Sequence, residues 1–450
     1  MKSELLKRLD QASGGRPVEG IIRPFKAFME AQWAAGILLL SCSVIALVWA
    51  NSPWAESYEH LWHIPVEIGF GEARLSESLL HWVNDGLMVV FFFVVGLEIK
   101  REILVGELAS PRQAALPIMA AIGGMAVPAA IYAALNWGQP SMSGWGVPMA
   151  TDIAFALGVL ALLSRGLPPS LFVFLAALAI ADDLGAVLVI AIFYTSSISW
   201  VALAVAAALL LGMVALNSSG VRSPIPYAVL GIGVWLAFLH SGVHATIAGV
   251  LAAMTIPVRT RIDSTQFLVS SREILDHFED AAEESKESTI VNEKRYAAVE
   301  ALENACERAQ TPLQRLEHGL LPWVNFLILP IFALGNAGVS LGGDIGATLA
   351  SPTSLGIVLG LVLGKQIGVL GFSWLSVKLG LASLPSGARW LHVWGVACLA
   401  GIGFTMSLFV AMLAFGTGED LSRAKTGILL ASLIAGVVGA LVLRAAARRT

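Results

Sequence analysis

Four ionisable side chains stand inside otherwise apolar sequence: Asp152, Asp182, Asp183 and Lys365. Asp152 closes the segment Pro148-Met149-Ala150-Thr151-Asp152, where a proline and a threonine disturb an apolar run. Asp182 and Asp183 sit within Ala179-Ile180-Ala181-Asp182-Asp183-Leu184-Gly185, and Lys365 within Gly364-Lys365-Gln366-Ile367-Gly368. A charge in a bilayer core costs about 2.5–3.5 kcal/mol or more, so such groups face cavities and carry function. Two adjacent carboxylates suit one chemistry in particular. Low dielectric and mutual repulsion both disfavour the doubly ionised pair, which therefore titrates as one coupled unit. A hard cation prefers oxygen ligands, so protons and an alkali cation compete for the same oxygens. The bland alternative is that the four charges merely neutralise one another. Neighbours on a helix project about 100° apart, so one lysine would not easily satisfy both aspartates. One can pair with Lys365 while the other faces a watery funnel. For Asp152 and Lys365 a purely structural role stays open.

The elements that position these groups are membrane helices. Of 450 residues, 56% are hydrophobic and only 13% charged, against roughly 25% in an ordinary soluble domain. Apolar runs long enough to cross ~30 Å of hydrocarbon recur along the chain. Helices satisfy their own backbone there, as an unpaired strand could not. The sequence predicts an all-α polytopic membrane protein of twelve transmembrane helices. The spans cover 33–50, 79–99, 114–135, 145–164, 170–194, 200–216, 226–240, 241–257, 322–339, 355–377, 393–415 and 424–443. With the amino terminus in the cytoplasm, nearly all of the 28 Lys and Arg residues fall on that side. Arg74, Arg423 and Lys425 are opposite, and Lys365 is within a span. That bias places both termini in the cytoplasm and requires an even number of spans.

The predicted organisation is a cytoplasmic segment 1–32, eight spans over 33–258, a hydrophilic cytoplasmic loop 259–319, four spans over 320–443 and a basic tail 444–450. No cleavable signal peptide is expected in the polar first thirty residues. Residues 18–30 are expected to form a short interfacial helix. The outward loop 51–78 holds two short strands, 64–69 and 71–75, forming a small β-hairpin. The 259–319 loop reads as a partly helical connector, with partner docking as the alternative. Cys42, Cys306 and Cys398 lack metal-ligand spacing. No basic stripe with interleaved aromatics points to nucleic acid.

Two spans carry interruptions. The fourth has Thr151-Asp152, and the eleventh has Ala400-Gly401-Ile402-Gly403-Phe404-Thr405. Paired interruptions in the two halves of a transporter mark a binding site at the bilayer midplane. Crossing two such helices gathers two half-helix N-termini on one side and two C-termini on the other. Asp152 would offset the positive ends and Lys365 the negative ends.

Several segments together resemble the NhaA sodium/proton antiporters. They are Gly96-Leu97-Glu98, Ala150-Thr151-Asp152-Ile153-Ala154-Phe155, Asp182-Asp183-Leu184-Gly185 and Ser241-Gly242-Val243-His244-Ala245-Thr246. Leu316-Glu317-His318, Pro322-Trp323-Val324-Asn325, Phe332-Ala333-Leu334-Gly335-Asn336-Ala337-Gly338-Val339 and Gly364-Lys365 complete the set. The likeness runs in order from about 28 to 443. It implies inverted-topology repeats, two crossed discontinuous helices and alternating access around one site; the rule for such helices was itself drawn in part from this family. It implies Asp183 as the principal cation ligand and proton carrier, Asp182 paired with Lys365 in one state, and Asp152 and Thr151 supporting the crossing. It further implies electrogenic export of Na⁺ (or Li⁺) against more than one proton, in a bacterial inner membrane, for sodium and pH homeostasis. No cofactor is implied beyond the transported ions, and the partners are the lipid bilayer and a second copy, a homodimer joined through the outer hairpin. Switching at alkaline pH would fall to Glu98, Glu102, Glu317 and His318, with His244 also linked to pH and Asp85 lining the pathway. A histidine suits sensing because imidazole titrates near pH 6.5, although charged helix ends are commonly solvated caps. The chain departs from the family in two places: Leu321 stands where a second histidine is frequent, and the 259–319 loop is longer.

Two rivals are weighed. An intramembrane aspartyl protease needs acids on two helices, which Asp152 and Asp183 supply, but its Gly-x-Gly-Asp signature is missing and a nearby lysine would hinder proton sharing. A sodium-driven organic-anion symporter would need a polar substrate pocket, which the near-uniformly apolar spans argue against.

Overall fold

The structure is a computed structural model that describes residues 32–70, 73–164, 166–195, 197–260, 263–283, 293–340 and 345–448. The expected interfacial helix at 18–30 lies outside the described residues. The chain is an all-α polytopic membrane protein. Among the described residues, seven helices are long and apolar enough to cross a bilayer, or nine if each of two bent pairs counts as one span. The remaining regions read as spans are helical but shorter or interrupted. Residues 79–105 form a helix containing a π-turn at Trp82–Leu87. Pro224–Leu239 is a sixteen-residue helix. In the stretch 241–257, regular helix is confined to Ile247–Thr255. Gly242, at φ +81°, turns the chain before it.

Contacts divide the chain into two compact units. The first comprises Met1–His60, Leu116–Asp182 and Asn325–Thr450; the second comprises Leu61–Ala115 and Asp183–Val324. In the first, helix Gln32–Ala50 packs on Ile153–Leu162 and Leu329–Asn336. The closing helix Glu419–Ala447 packs on Trp390–Ala400, Phe404–Phe415 and Pro352–Leu359. In lipid, association depends on close packing more than on water exclusion, so small residues lie at these seams. Leu443 seats on Gly395, Leu399 on Gly439, and the Gly368 and Gly123 backbones touch.

The second unit opens with an antiparallel hairpin, Pro65–Phe70 with Ala73–Ser78, in the register Pro65↔Ser78 to Phe70↔Ala73. Its second strand extends further than the sequence suggests, because Ser78 then caps the following helix by accepting from the His81 N–H at 3.2 Å. Helix Ile247–Thr255 lies against Met88–Val105, with Val250 and Ala253 at Gly96. Trp200–Ser218 starts at Ser199, which caps it, and ends before Gly220, whose φ of +80° stops the helix. It pairs with Pro224–Leu239. Within the hydrophilic loop, Ser264–Glu283 and Glu293–Ala309 pack together, and Arg295 lies over the Phe278 ring at 6.0 Å. The next helix begins at Pro312, capped by Thr311, so its first turns belong to residues the sequence assigns to the loop.

Candidate functional site

Each interrupted span breaks because its backbone turns away from its own helix and bonds to the other. In the first, a ten-residue 3₁₀ segment Pro140–Met149 meets Ile153–Leu162 at 41°. In the second, Trp390–Ala400 meets Phe404–Phe415 at 44°. Both breaks lie in the first unit. The Asp152 N–H donates to the Ile402 carbonyl at 2.7 Å. The Thr151 hydroxyl reaches the Ala400 carbonyl, at the end of its half-helix, at 2.8 Å. Two backbones that would each be unsatisfied alone thus satisfy one another, as buried polar groups must.

Asp152 serves both half-helix N-termini. Its Oδ1 accepts from the Phe155 N–H at 2.9 Å, capping Ile153–Leu162. Its Oδ2 accepts from the Thr405 N–H at 3.1 Å and from the Thr405 hydroxyl at 2.5 Å. A carboxylate at two positive helix ends fits the macrodipole. Further bonds fix the break: the Phe404 N–H donates to Ser432 Oγ at 3.1 Å, and Ser407 Oγ donates to the Val147 carbonyl at 2.8 Å.

Lys365 follows a π-turn, Gly360–Gly364, and is fully buried. Its Nζ donates to Asp182 Oδ2 at 2.5 Å and to Thr151 Oγ1 at 2.9 Å, and the Thr151 hydroxyl lies 2.6 Å from that same Asp182 oxygen. The lysine therefore bonds to the acid and the threonine, while the Ala400 carbonyl end is met by Thr151. The other Asp182 oxygen, Oδ1, is buried with no hydrogen-bond partner among the described residues. Asp183 is 1% exposed and is the next residue on the same helix, Ser170–Phe193. Asp182 ends a segment of the first unit and Asp183 begins one of the second. Four predicted residues (Thr151, Asp152, Asp182 and Lys365) thus lie in one hydrogen-bonded group. Thr405 joins them unforeseen; it lies in the predicted interruption, but only its polarity hinted at a partner.

A second set of charges lies in the second unit. Arg101 Nε lies 3.3 Å from Glu317 Oε1, and an Arg101 terminal nitrogen 3.2 Å from Glu102 Oε1. Glu102 also accepts from the Glu107 N–H at 3.0 Å. Glu98 interacts electrostatically with Glu317, Arg101 and Glu102, so three of the predicted acids share one arginine. His318 is exposed, with Nδ1 2.8 Å from the Gln314 carbonyl of its own helix. Lys100, next to these acids in sequence, donates to the Met254 and Ile256 carbonyls at 2.6 and 2.5 Å. Asp85 and His244 line a separate cavity of the same unit.

Residues 26–443 match the family described as Na⁺/H⁺ antiporter 1. The chain is 51% identical to the Na⁺/H⁺ antiporter NhaA of Koribacter versatilis, over 96% of this chain and 94% of that protein. It is 52% identical to the one from Oleidesulfovibrio alaskensis, over 95% of each. For the NhaA of Rhodospirillum rubrum the identity is 48%, over 96% of this chain and 98% of the relative.

Proposed function

Because the chain belongs to the NhaA Na⁺/H⁺ antiporter family, we propose that it exports Na⁺ or Li⁺ from a bacterial cell in exchange for protons, electrogenically, by alternating access at the paired aspartates. The observation that carries this reading is the buried Lys365–Asp182–Thr151 group at the meeting of two broken helices, one residue from a second buried acid. In this reading the fold has twelve transmembrane helices in inverted repeats, and the two broken spans cross. Both termini are cytoplasmic, the membrane is the inner one, and two copies associate through the outer hairpin.

Asp183 is the main ligand of the cation and one carrier of protons. The incoming cation brings positive charge that lets the carboxylates release protons, and protons arriving from the other side displace the cation. Asp182 is held by Lys365 in this arrangement and exchanges that partner during the cycle. Its uncommitted Oδ1 supports a role as a second cation oxygen. Asp152, with Thr151 and Thr405, holds the half-helices in register and neutralises their positive ends. Glu98, Glu102, Glu317 and His318 set the response to cytoplasmic pH through the shared Arg101. Asp85 and His244 line the outer pathway. The activity serves sodium and pH homeostasis.

The test is sodium-dependent proton movement in vesicles loaded with a pH-sensitive dye. The wild type responds to NaCl and the Asp183→Asn variant does not. A wild-type protein silent throughout roughly pH 6–9, the range spanned by imidazole and its neighbours, sinks the proposal.

A further inference from the structure

The second unit contains a cavity of about 330 Å³ lined by Glu77, His81, Trp82, Asp85, His240 and His244, among others. Its chemistry centres on one pair. His81 Nε2 lies 3.1 Å from Asp85 Oδ2, one turn further along. The histidine side chain is 44% exposed and the aspartate 22%. The pair is held from two sides. Ser78 caps the turn that carries His81, and the Trp82 indole donates to the Val66 carbonyl at 3.0 Å, bracing the wall against the hairpin. Glu77, on the second strand, and His244, in the turn before Ile247–Thr255, also interact electrostatically with Asp85. His240, at the end of Pro224–Leu239, completes the titratable lining.

We infer that this cavity is an antechamber for the transported alkali cation, in which protonated His81 and the cation compete for the Asp85 carboxylate. The inference rests on the antiport reading above, which places the cavity on the outer side. A protonated imidazole occupies the Asp85 oxygens with a charge-assisted bond and leaves little for a cation. Once neutral, it neither repels the cation nor holds the acid, and Asp85 with Glu77 makes the mouth attractive to positive charge. Protonation of His240 or His244 adds repulsion of the same sign. External acid therefore closes the antechamber and neutral or alkaline medium opens it. His81 acts through Asp85 and is a positioning residue.

The experiment uses oriented proteoliposomes with the cytoplasmic-side pH clamped, and reads the external KM for Na⁺ at external pH 8 and 6. For one competing group with an ordinary imidazole pKa of ~6.5, the wild-type KM rises about fourfold from pH 8 to 6, beyond any rise retained without that group. His81→Gln loses this fourfold component and stays near the alkaline value. His81→Lys keeps a fixed cation beside Asp85 and shows the high KM at both pH values. In both variants, KM on the cytoplasmic side and kcat stay at wild-type values. A His81→Gln protein with the full wild-type pH dependence, or a His81→Lys protein with the wild-type KM at pH 8, overturns the antechamber alone. Absence of exchange in the wild type overturns it together with the antiport reading.

Discussion

A double-mutant cycle on Lys365 and Asp182 tests the centre of the site most directly. The two side chains are fully buried and 2.5 Å apart. Removing one partner of such a pair leaves an uncompensated charge in low dielectric, at a cost of about 3–5 kcal/mol. Removing both leaves no charge to strand, and replacement by groups of similar volume is often neutral. Lys365→Met and Asp182→Asn are therefore each destabilising, whereas Asp182→Asn combined with Lys365→Met is far milder than their sum. With an unfolding entropy of about 2.1 cal/mol/K per residue, a chain of this length shifts its Tm by about 1 °C per kcal/mol. Each single variant should thus fall by about 3–5 °C in a thermal melt of purified protein, and the double variant should recover at least half of that deficit. Folded protein is confirmed by gel filtration before each melt. Two singles indistinguishable from wild type, or a double variant losing the full sum, would show that the contact carries no coupling energy.

Two further outcomes follow from the packing. Thr405→Val removes the hydroxyl at 2.5 Å from Asp152 Oδ2 and should cost about 1.5–3 kcal/mol, the range for a bond to a charged group. Thr405→Ser should recover most of that loss in the same melt, and a valine variant as stable as wild type would contradict it. Gly368→Ala would drive a methyl group to 2.0 Å from the Gly123 carbonyl oxygen, so the variant should lose monodisperse behaviour in detergent or melt well below wild type. The helices cannot part without losing their seam.

What was legible in the sequence had a local cause. Asp152, Asp182, Asp183 and Lys365 announce themselves because a charge among apolar neighbours is rare whatever it touches. The interruption at Gly401–Thr405 shows because two glycines and a threonine weaken a helix locally. What it bonds to does not show: Thr405 meets Asp152 across 253 residues, and no local pattern encodes that. Nor was the 3₁₀ form of Pro140–Met149 visible, since its residues bear no periodic signal; the structure starts that segment at 140, where composition suggested 145. In the stretch 241–257, hydropathy counts residues and is blind to Gly242 turning the chain. Lys100 lies next to the predicted acids, but its bonds go to the carbonyl end of a neighbouring helix, a tie visible only in three dimensions.

The Thr151 hydroxyl owns a single hydrogen, yet two oxygens lie within reach of it, Asp182 Oδ2 at 2.6 Å and the Ala400 carbonyl at 2.8 Å. It can lean fully toward only one at a time. The threonine is thus a two-position toggle between an acid and the frayed end of a half-helix. Whatever else comes to sit on that acid, whether a hydrogen ion or sodium, frees the toggle to swing to the helix end. A rotation about one side-chain bond then relays the occupancy of the acid to the main chain of the second broken span.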